Sequence, residues 1–236
     1  MSDEKLHLST SALLRLQSWL SPAFPMGSYS YSHGVEWAVE AGYIKDRNSL
    51  VDWLDADLWF GSGRNEAIFF NEAWRCAIED NRAKLFEIAE LAAAFRGTSE
   101  FALESSQQAT ACLTTMRLVW PDRLMDWLLE ALREHHVPPA LSVVLGACTA
   151  GQKIPASMAL PAFLQSCVAN LVMAGLRLVP LGQTDGQLAI AELEQSVLTA
   201  SVRARNATID DLGSAAFMVD VASMAHETQY TRLFRS

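Results

Sequence analysis

From Ile154 to Leu176 the chain runs 23 residues without a formal charge. A stretch that long either crosses a bilayer or lies at the centre of a protein core, so it constrains everything packed around it. Pro155, Pro161, Gln165 and Asn170, with Ser157 and Ser166, dilute the run well below the hydrophobicity of a Leu-rich membrane span. The composition favours a central buried helix with no membrane involved, and a 236-residue chain that is 50% hydrophobic can supply the core to surround it.

The rest of the chain is punctuated like a helical protein. No segment of four to eight residues shows the alternation of β-branched and polar residues that marks a strand. Leu13, Leu14, Leu16 and Leu20 suggest a first helix that the Pro22 to Pro25 stretch stops, because proline removes a donor and clashes with a continuing helix. A second helix is expected from about Ser32 to Ala41, capped by a serine hydroxyl. A third, from Asn48 to Phe60, repeats Leu50, Trp53, Leu54 and Leu58 at spacings of three and four. Further helices are expected from Asn65 to Ile78, from Ala83 to Phe95 with Gly97 beyond it, from Thr98 to just before Pro121, and from Pro121 to about Glu134. Two apolar helices between 139 and 178, a more polar one near 187 to 204 and one from about 209 to 225 complete the pattern. No linker, fixed-period repeat or low-complexity tract divides the chain. The expectation is all-α: a single-domain bundle of about nine or ten helices over residues 1–225, with residues 226–236 as a C-terminal tail that stays flexible until a partner binds.

Charge and cysteine usage narrow the function classes. With 18 Lys plus Arg against 27 Asp plus Glu, the net charge is -9, and such a surface repels nucleic-acid backbones. No nucleic acid is expected. Cys76, Cys112, Cys148 and Cys167 form no CxxC pair, which suits neither a zinc site nor a small disulfide framework. The N-terminus has mixed charge and no apolar signal core, so the cytoplasm is the expected location.

Few residue patterns in the chain point to a reaction. No GxxxxGK[ST] or strand-linked GxGxxG is present, and Gly182 to Gly186 reads as a loop between two helices. His226-Glu227 begins like HExxH, but residue 230 is Tyr, so two ligands do not share a helix face. His135 and His136 are adjacent and therefore diverge on a helix; a solvated helix end explains them. Ser28, Ser30 and Ser32 near His33 lack the GxSxG elbow. No catalytic, cofactor-binding or metal residue is assigned, and the chain is expected not to be an enzyme. What remains are loop and tail side chains of the types enriched at protein interfaces: Tyr29 and Tyr31 in the Pro22 to Gly34 loop, and Tyr230, Arg232, Phe234 and Arg235 in the tail.

Three segments in register resemble one family. Leu20-Ser-Pro-Ala-Phe-Pro-Met-Gly-Ser-Tyr-Ser-Tyr-Ser-His-Gly-Val-Glu36, Arg177-Leu-Val-Pro-Leu-Gly-Gln-Thr-Asp-Gly-Gln187 and His226-Glu-Thr-Gln-Tyr-Thr-Arg-Leu-Phe-Arg-Ser236 are similar to the signature loop, the distinctive central run and the terminal tail of the urease accessory protein UreF family. Leu188 and Ala225 depart from that pattern at positions where basic residues are common. The resemblance implies an all-helical protein, commonly a homodimer, needed for nickel incorporation into urease. It would bridge UreD (also called UreH) and the GTPase UreG, modulating GTP-dependent nickel delivery to the urease apoprotein without a cofactor of its own. It also implies that Tyr29 and Arg232 act in recruiting UreG, with Tyr230, Leu233 and Phe234 anchoring a tail that orders on UreD. The alternative is a direct nickel-binding metallochaperone that uses His33, His135, His136 or His226 with a cysteine. A helical hydrolase built on the Ser28 to His33 region is a further rival, lacking a base, an orienting group and an oxyanion hole.

Overall fold

A computed structural model describes residues 7–235. Among these residues there is no strand, and eleven α-helices follow one another: α1 (Thr10–Trp19), α2 (Val35–Glu40), α3 (Arg47–Phe60), α4 (Ser62–Ile78), α5 (Arg82–Ala94), α6 (Ser99–Val119), α7 (Arg123–Glu134), α8 (Leu141–Gly151), α9 (Ala156–Leu178), α10 (Gln183–Asn206) and α11 (Phe217–His226). The all-α expectation holds, with eleven helices in place of nine or ten. One apolar cluster runs through the described chain from Ala12 in α1 to Ala222 in α11.

Capping chemistry sets most of the boundaries. Asp46 accepts the Ser49 amide while the Ser49 hydroxyl takes the Asp46 amide, a reciprocal box at the start of α3. Asn81, Thr98 and Asp122 accept from the amides of Lys84, Phe101 and Leu124 and open α5, α6 and α7. Pro121 therefore lies outside α7, because the Asp122 carboxylate takes the cap position.

Several expected boundaries moved, three of them for an identifiable reason. The second helix begins at Val35 instead of Ser32, since His33 and Gly34 adopt left-handed backbone at φ 55 and 80. Ser32 still serves the helix start, its hydroxyl accepting the Glu36 amide at 3.4 Å. The segment from Gln183 to Gly186 is not a loop but the first turn of α10, where Asp185 accepts the Gly182 amide at 3.0 Å. The helix expected over 209–225 divides into a 3₁₀ turn at Ile209–Asp211 and α11, because the amides of Ala215 and Ala216 are drawn to the Phe60 carbonyl.

The uncharged run supplies α9 as far as Leu176, one residue before Arg177. It is long and apolar enough to cross a membrane, yet it packs on α2, α3, α4, α8 and α10, as a core helix does. Only 44% of its most apolar window is buried, so the expected central burial is one-sided. Leu160, Phe163, Leu164 and Val168 face the core, while Met158 and Met173 are exposed. Beside α9, under the loop that precedes α2, lies a cavity of about 510 Å³.

Candidate partner-binding site

The loop over residues 22–34 is built to hold one backbone path. Gly27 at φ 72 turns the chain into a 3₁₀ turn, Ser28–Ser30, and Gly34 ends it against α11. A Cβ on Gly34 would stand 3.0 Å from the Ser223 amide nitrogen, so glycine is needed there for close approach as well as for its positive φ. Within this frame Tyr29 is 65% exposed, whereas Tyr31 is buried, its hydroxyl donating to Gln107 Oε1 at 2.5 Å. The loop thus displays one tyrosine and uses the other as an anchor.

Three successive loop carbonyls are held from elsewhere in the chain. Asn170 of α9 donates to the Ser28 carbonyl at 3.0 Å, Arg177 of α9 to that of Tyr29 at 2.9 Å, and the Arg235 amide to that of Ser30 at 2.8 Å. The Arg177 guanidinium also lies 4.2 Å from the centre of the Phe234 ring, which is buried. One arginine therefore joins the loop to the tail. Beyond it, Tyr230 is fully exposed and Leu233 is 63% exposed.

Under the tail is a node of buried charge. The His226 ring is 0% exposed, with Nε2 3.0 Å from Glu36 Oε2 and Nδ1 2.9 Å from Glu100 Oε2. Glu36 accepts the amides of Leu233 at 2.6 Å and Phe234 at 2.9 Å, and Glu100 pairs with Arg232 at 3.2 Å. Burial pushes the Glu100 carboxyl above its ordinary value, with His226 and Arg232 pulling it back. Beside the node, the hydroxyls of Thr98 and Ser223 meet at 2.6 Å.

A second histidine supports the loop from below. His33 stacks on Phe101 with ring centres 3.8 Å apart, places Nδ1 3.0 Å from Glu104 and Nε2 2.7 Å from Ser62 Oγ. Burial opposes protonation of this ring, but the charge and hydrogen bond of Glu104, with Asp57 adding, outweigh it and raise the pKa. Serine, histidine and glutamate here stand in the order of nucleophile, base and orienting group. Asp57 accepts the Ser62 hydroxyl at 2.8 Å and the Gly63 amide at 3.2 Å. The cluster ties the loop to α4 through Ser62 and to α6 through Glu104.

A family model described as UreF matches residues 44–194, more than half of the chain. A protein of Bradyrhizobium diazoefficiens named urease accessory protein UreF is 47% identical over 226 residues, covering 96% of this chain and 92% of its own length. Another so named, from Rhodopseudomonas palustris strain BisB5, is 47% identical over 227 residues with the same coverage. One from Bradyrhizobium sp. strain BTAi1 is 43% identical and covers 100% of this chain and 99% of its own length.

The chain belongs to the UreF family.

Residues of all three segments that carried the UreF resemblance meet at one place in this fold: Tyr29 and Ser30 of the first, Arg177 of the second, and Phe234 and Arg235 of the third. Of the five residues singled out from sequence, Tyr29, Tyr230 and Leu233 are exposed, Arg232 is partly exposed and bound to Glu100, and Phe234 is buried under Arg177. The sequence assigned no site role to Glu36, Glu100 or Arg177, and marked His226 only as half of a failed zinc motif and as one candidate ligand of the metallochaperone alternative. Their signal was position: Glu36 closes the first UreF segment, Arg177 opens the second and His226 opens the third. The departures lie at the margins, Leu188 exposed on α10 and Ala225 one residue before the node. Among the described residues no group of three or more His, Cys, Asp or Glu is arranged to hold a metal ion. His135 and His136 sit exposed at the end of α7.

Proposed function

We propose that this chain is a urease accessory scaffold that serves nickel incorporation into urease, bridging UreD and the GTPase UreG and modulating GTP-dependent delivery of nickel to the apoprotein. The observation that carries this reading is the joining of the Tyr29 loop, Arg177 and the C-terminal tail into one surface by backbone hydrogen bonds and a cation–π contact. A surface assembled that way displays side chains; it does not assemble a reaction. Family membership supplies the urease connection.

In this reading Tyr29 and Arg232 contact UreG, Phe234 anchors the tail, and Tyr230 and Leu233 complete the tail's ordering against UreD, since both stand out into solvent. The scaffold works in the cytoplasm as a homodimer and performs no catalysis itself. Co-purification of UreD and UreG with the full chain, with and without GTP, tests the reading. Tyr29→Ala and Arg232→Ala should each lower UreG capture about tenfold or more while leaving helicity and Tm unchanged, because both side chains are substantially exposed. Undiminished capture by both variants would refute the assigned contact surface.

A further inference from the structure

We propose that the cavity under the Tyr29 loop is a binding site for a small uncharged molecule with an apolar body and one acceptor oxygen, the oxygen being taken by Arg96. Such a site stands whether or not the chain bridges UreD and UreG.

The body of the ligand follows from the walls. Leu54 and Leu58 of α3, Phe101 of α6, Leu145 of α8, and Leu164 and Val168 of α9 line the cavity, and each is buried. Its volume of about 510 Å³ is that of a small-molecule pocket, well beyond a packing defect. A void of this size leaves its lining without dispersion partners, and the deficit grows with the volume, so an apolar occupant is stabilising. Tyr29, Met173 and Arg177 also line the cavity and are exposed, which sets its mouth beside the displayed tyrosine.

The head of the ligand follows from the charged end. Most polar groups there satisfy one another: His33 is held by Glu104 and Ser62, Ser62 donates to Asp57, Gln108 donates to Glu104 at 3.2 Å, and the Ser105 hydroxyl accepts the Leu141 amide at 3.1 Å. Arg96 differs. It pairs with Glu66 through Nη1, while its Nη2 is buried without a hydrogen-bond partner among the described residues. Burial lowers the Arg96 pKa to about 10, with Glu104 opposing, so the guanidinium keeps its charge and Nη2 remains a donor. A buried donor to which the chain brings no acceptor marks the place for an oxygen of the ligand.

Charge decides which kind of oxygen. Three carboxylates, Asp57, Glu66 and Glu104, stand against two cations, Arg96 and His33, so this end carries an excess of negative charge even with His33 protonated. A carboxylate or phosphate head would add to that excess, and an ammonium head offers Nη2 no acceptor. A hydroxyl, carbonyl or ether oxygen meets both conditions. At the mouth Arg177 is already engaged, donating to the Met173 and Tyr29 carbonyls and covering the Phe234 ring.

Octanol, octanoate and octylammonium share one alkyl tail and differ in the charge of the head, so they test the site on the full wild-type chain, with leucine and valine methyl spectra as the readout. Octanol should bind once per chain with a Kd on the order of 0.1–1 mM. It should shift the methyls of Leu54, Leu164 and Val168 and leave those of the exposed Leu188 and Val202 in place. Octanoate and octylammonium should each bind at least about tenfold more weakly. Cys167→Phe, which fills the cavity from α9, should abolish octanol binding, and Arg96→Met should weaken it about tenfold. Absence of the octanol shifts, or either charged ligand binding as tightly as octanol, overturns the proposal. Full octanol affinity in folded Cys167→Phe or folded Arg96→Met does the same. If a variant does not fold, the head-group series on the wild-type chain decides.

Discussion

Replacing Phe234 with alanine isolates what the buried ring contributes to the tail. Phe234 is 5% exposed and carries the Arg177 guanidinium 4.2 Å above it. Removing a buried phenylalanine forfeits about 1.5–3 kcal/mol of transfer free energy. Loss of the cation–π contact adds roughly 0.5–1 kcal/mol at this partly exposed arginine. The total of about 2–4 kcal/mol corresponds to about a 30- to 700-fold increase in the undocked population of the tail. Because the tail touches the rest of the chain through the loop, Glu36, Glu100 and Arg177, it should peel away without unfolding the bundle. Trypsin reads that population directly. Cleavage between Arg232 and Leu233 requires release of the Leu233 amide from Glu36, so at low protease its rate follows the open fraction. Phe234→Ala should be cut there at least about 30-fold faster than wild type, with Tm lowered by no more than about 2 °C. Tyr230→Ala, which removes a fully exposed ring, should stay within about threefold of wild type. An unchanged rate for Phe234→Ala would show that the ring is not the anchor. A collapse of Tm would show that tail and bundle unfold as one unit.

A Cβ at Gly146 of α8 would stand 2.3 Å from the Phe70 carbonyl oxygen of α4; Gly146→Ala should lower stability by about 2 kcal/mol and Tm by about 4–8 °C in thermal denaturation, despite its better helix propensity. Gly213→Ala, with nothing within 4 Å, is the neutral control. Burial raises the thiols of Cys76 to about 11 and of Cys112 and Cys167 to about 12, so native alkylation by iodoacetamide at pH 8 should run at least about a hundredfold slower than in denaturant. The raised pKa of His33 means the folded ring binds its proton more tightly than the unfolded one. Its contribution is full below the ordinary value near 6.5 and fades as pH rises through the folded value. Glu104→Gln should therefore cost on the order of 1 kcal/mol in denaturant titrations at pH 6, with the gap from wild type closing by pH 9; a constant gap would refute the protonated pairing.

Local chemistry in the sequence accounts for most of the secondary structure. Apolar residues at three- and four-residue spacing, and caps such as Asn81 and Thr98, act over one or two turns, so α3, α5 and α6 could be placed from the chain alone. Where boundaries moved, a distant or strained backbone group was responsible: the Phe60 carbonyl that takes the amides of Ala215 and Ala216, and the left-handed His33 that delays α2. The uncharged run shows the same division. Its composition dictates a helix that packs in a core; which side stays open beside the 510 Å³ cavity depends on where α2, α4 and α8 fall.

For the candidate site the division is sharper. Sequence by itself determined the helical class, the family and the three segments that matter, because residue type and spacing are properties of the chain. It marked Tyr29 and Arg232 but could not distinguish displayed side chains from anchoring ones: Tyr31 and Phe234 are buried, Tyr29 and Tyr230 exposed. Only the tertiary structure brought Glu36, Glu100 and His226 into contact across as many as 190 residues of chain. No periodicity encodes such a meeting, since a buried charge selects its partner by distance and desolvation after the helices have packed.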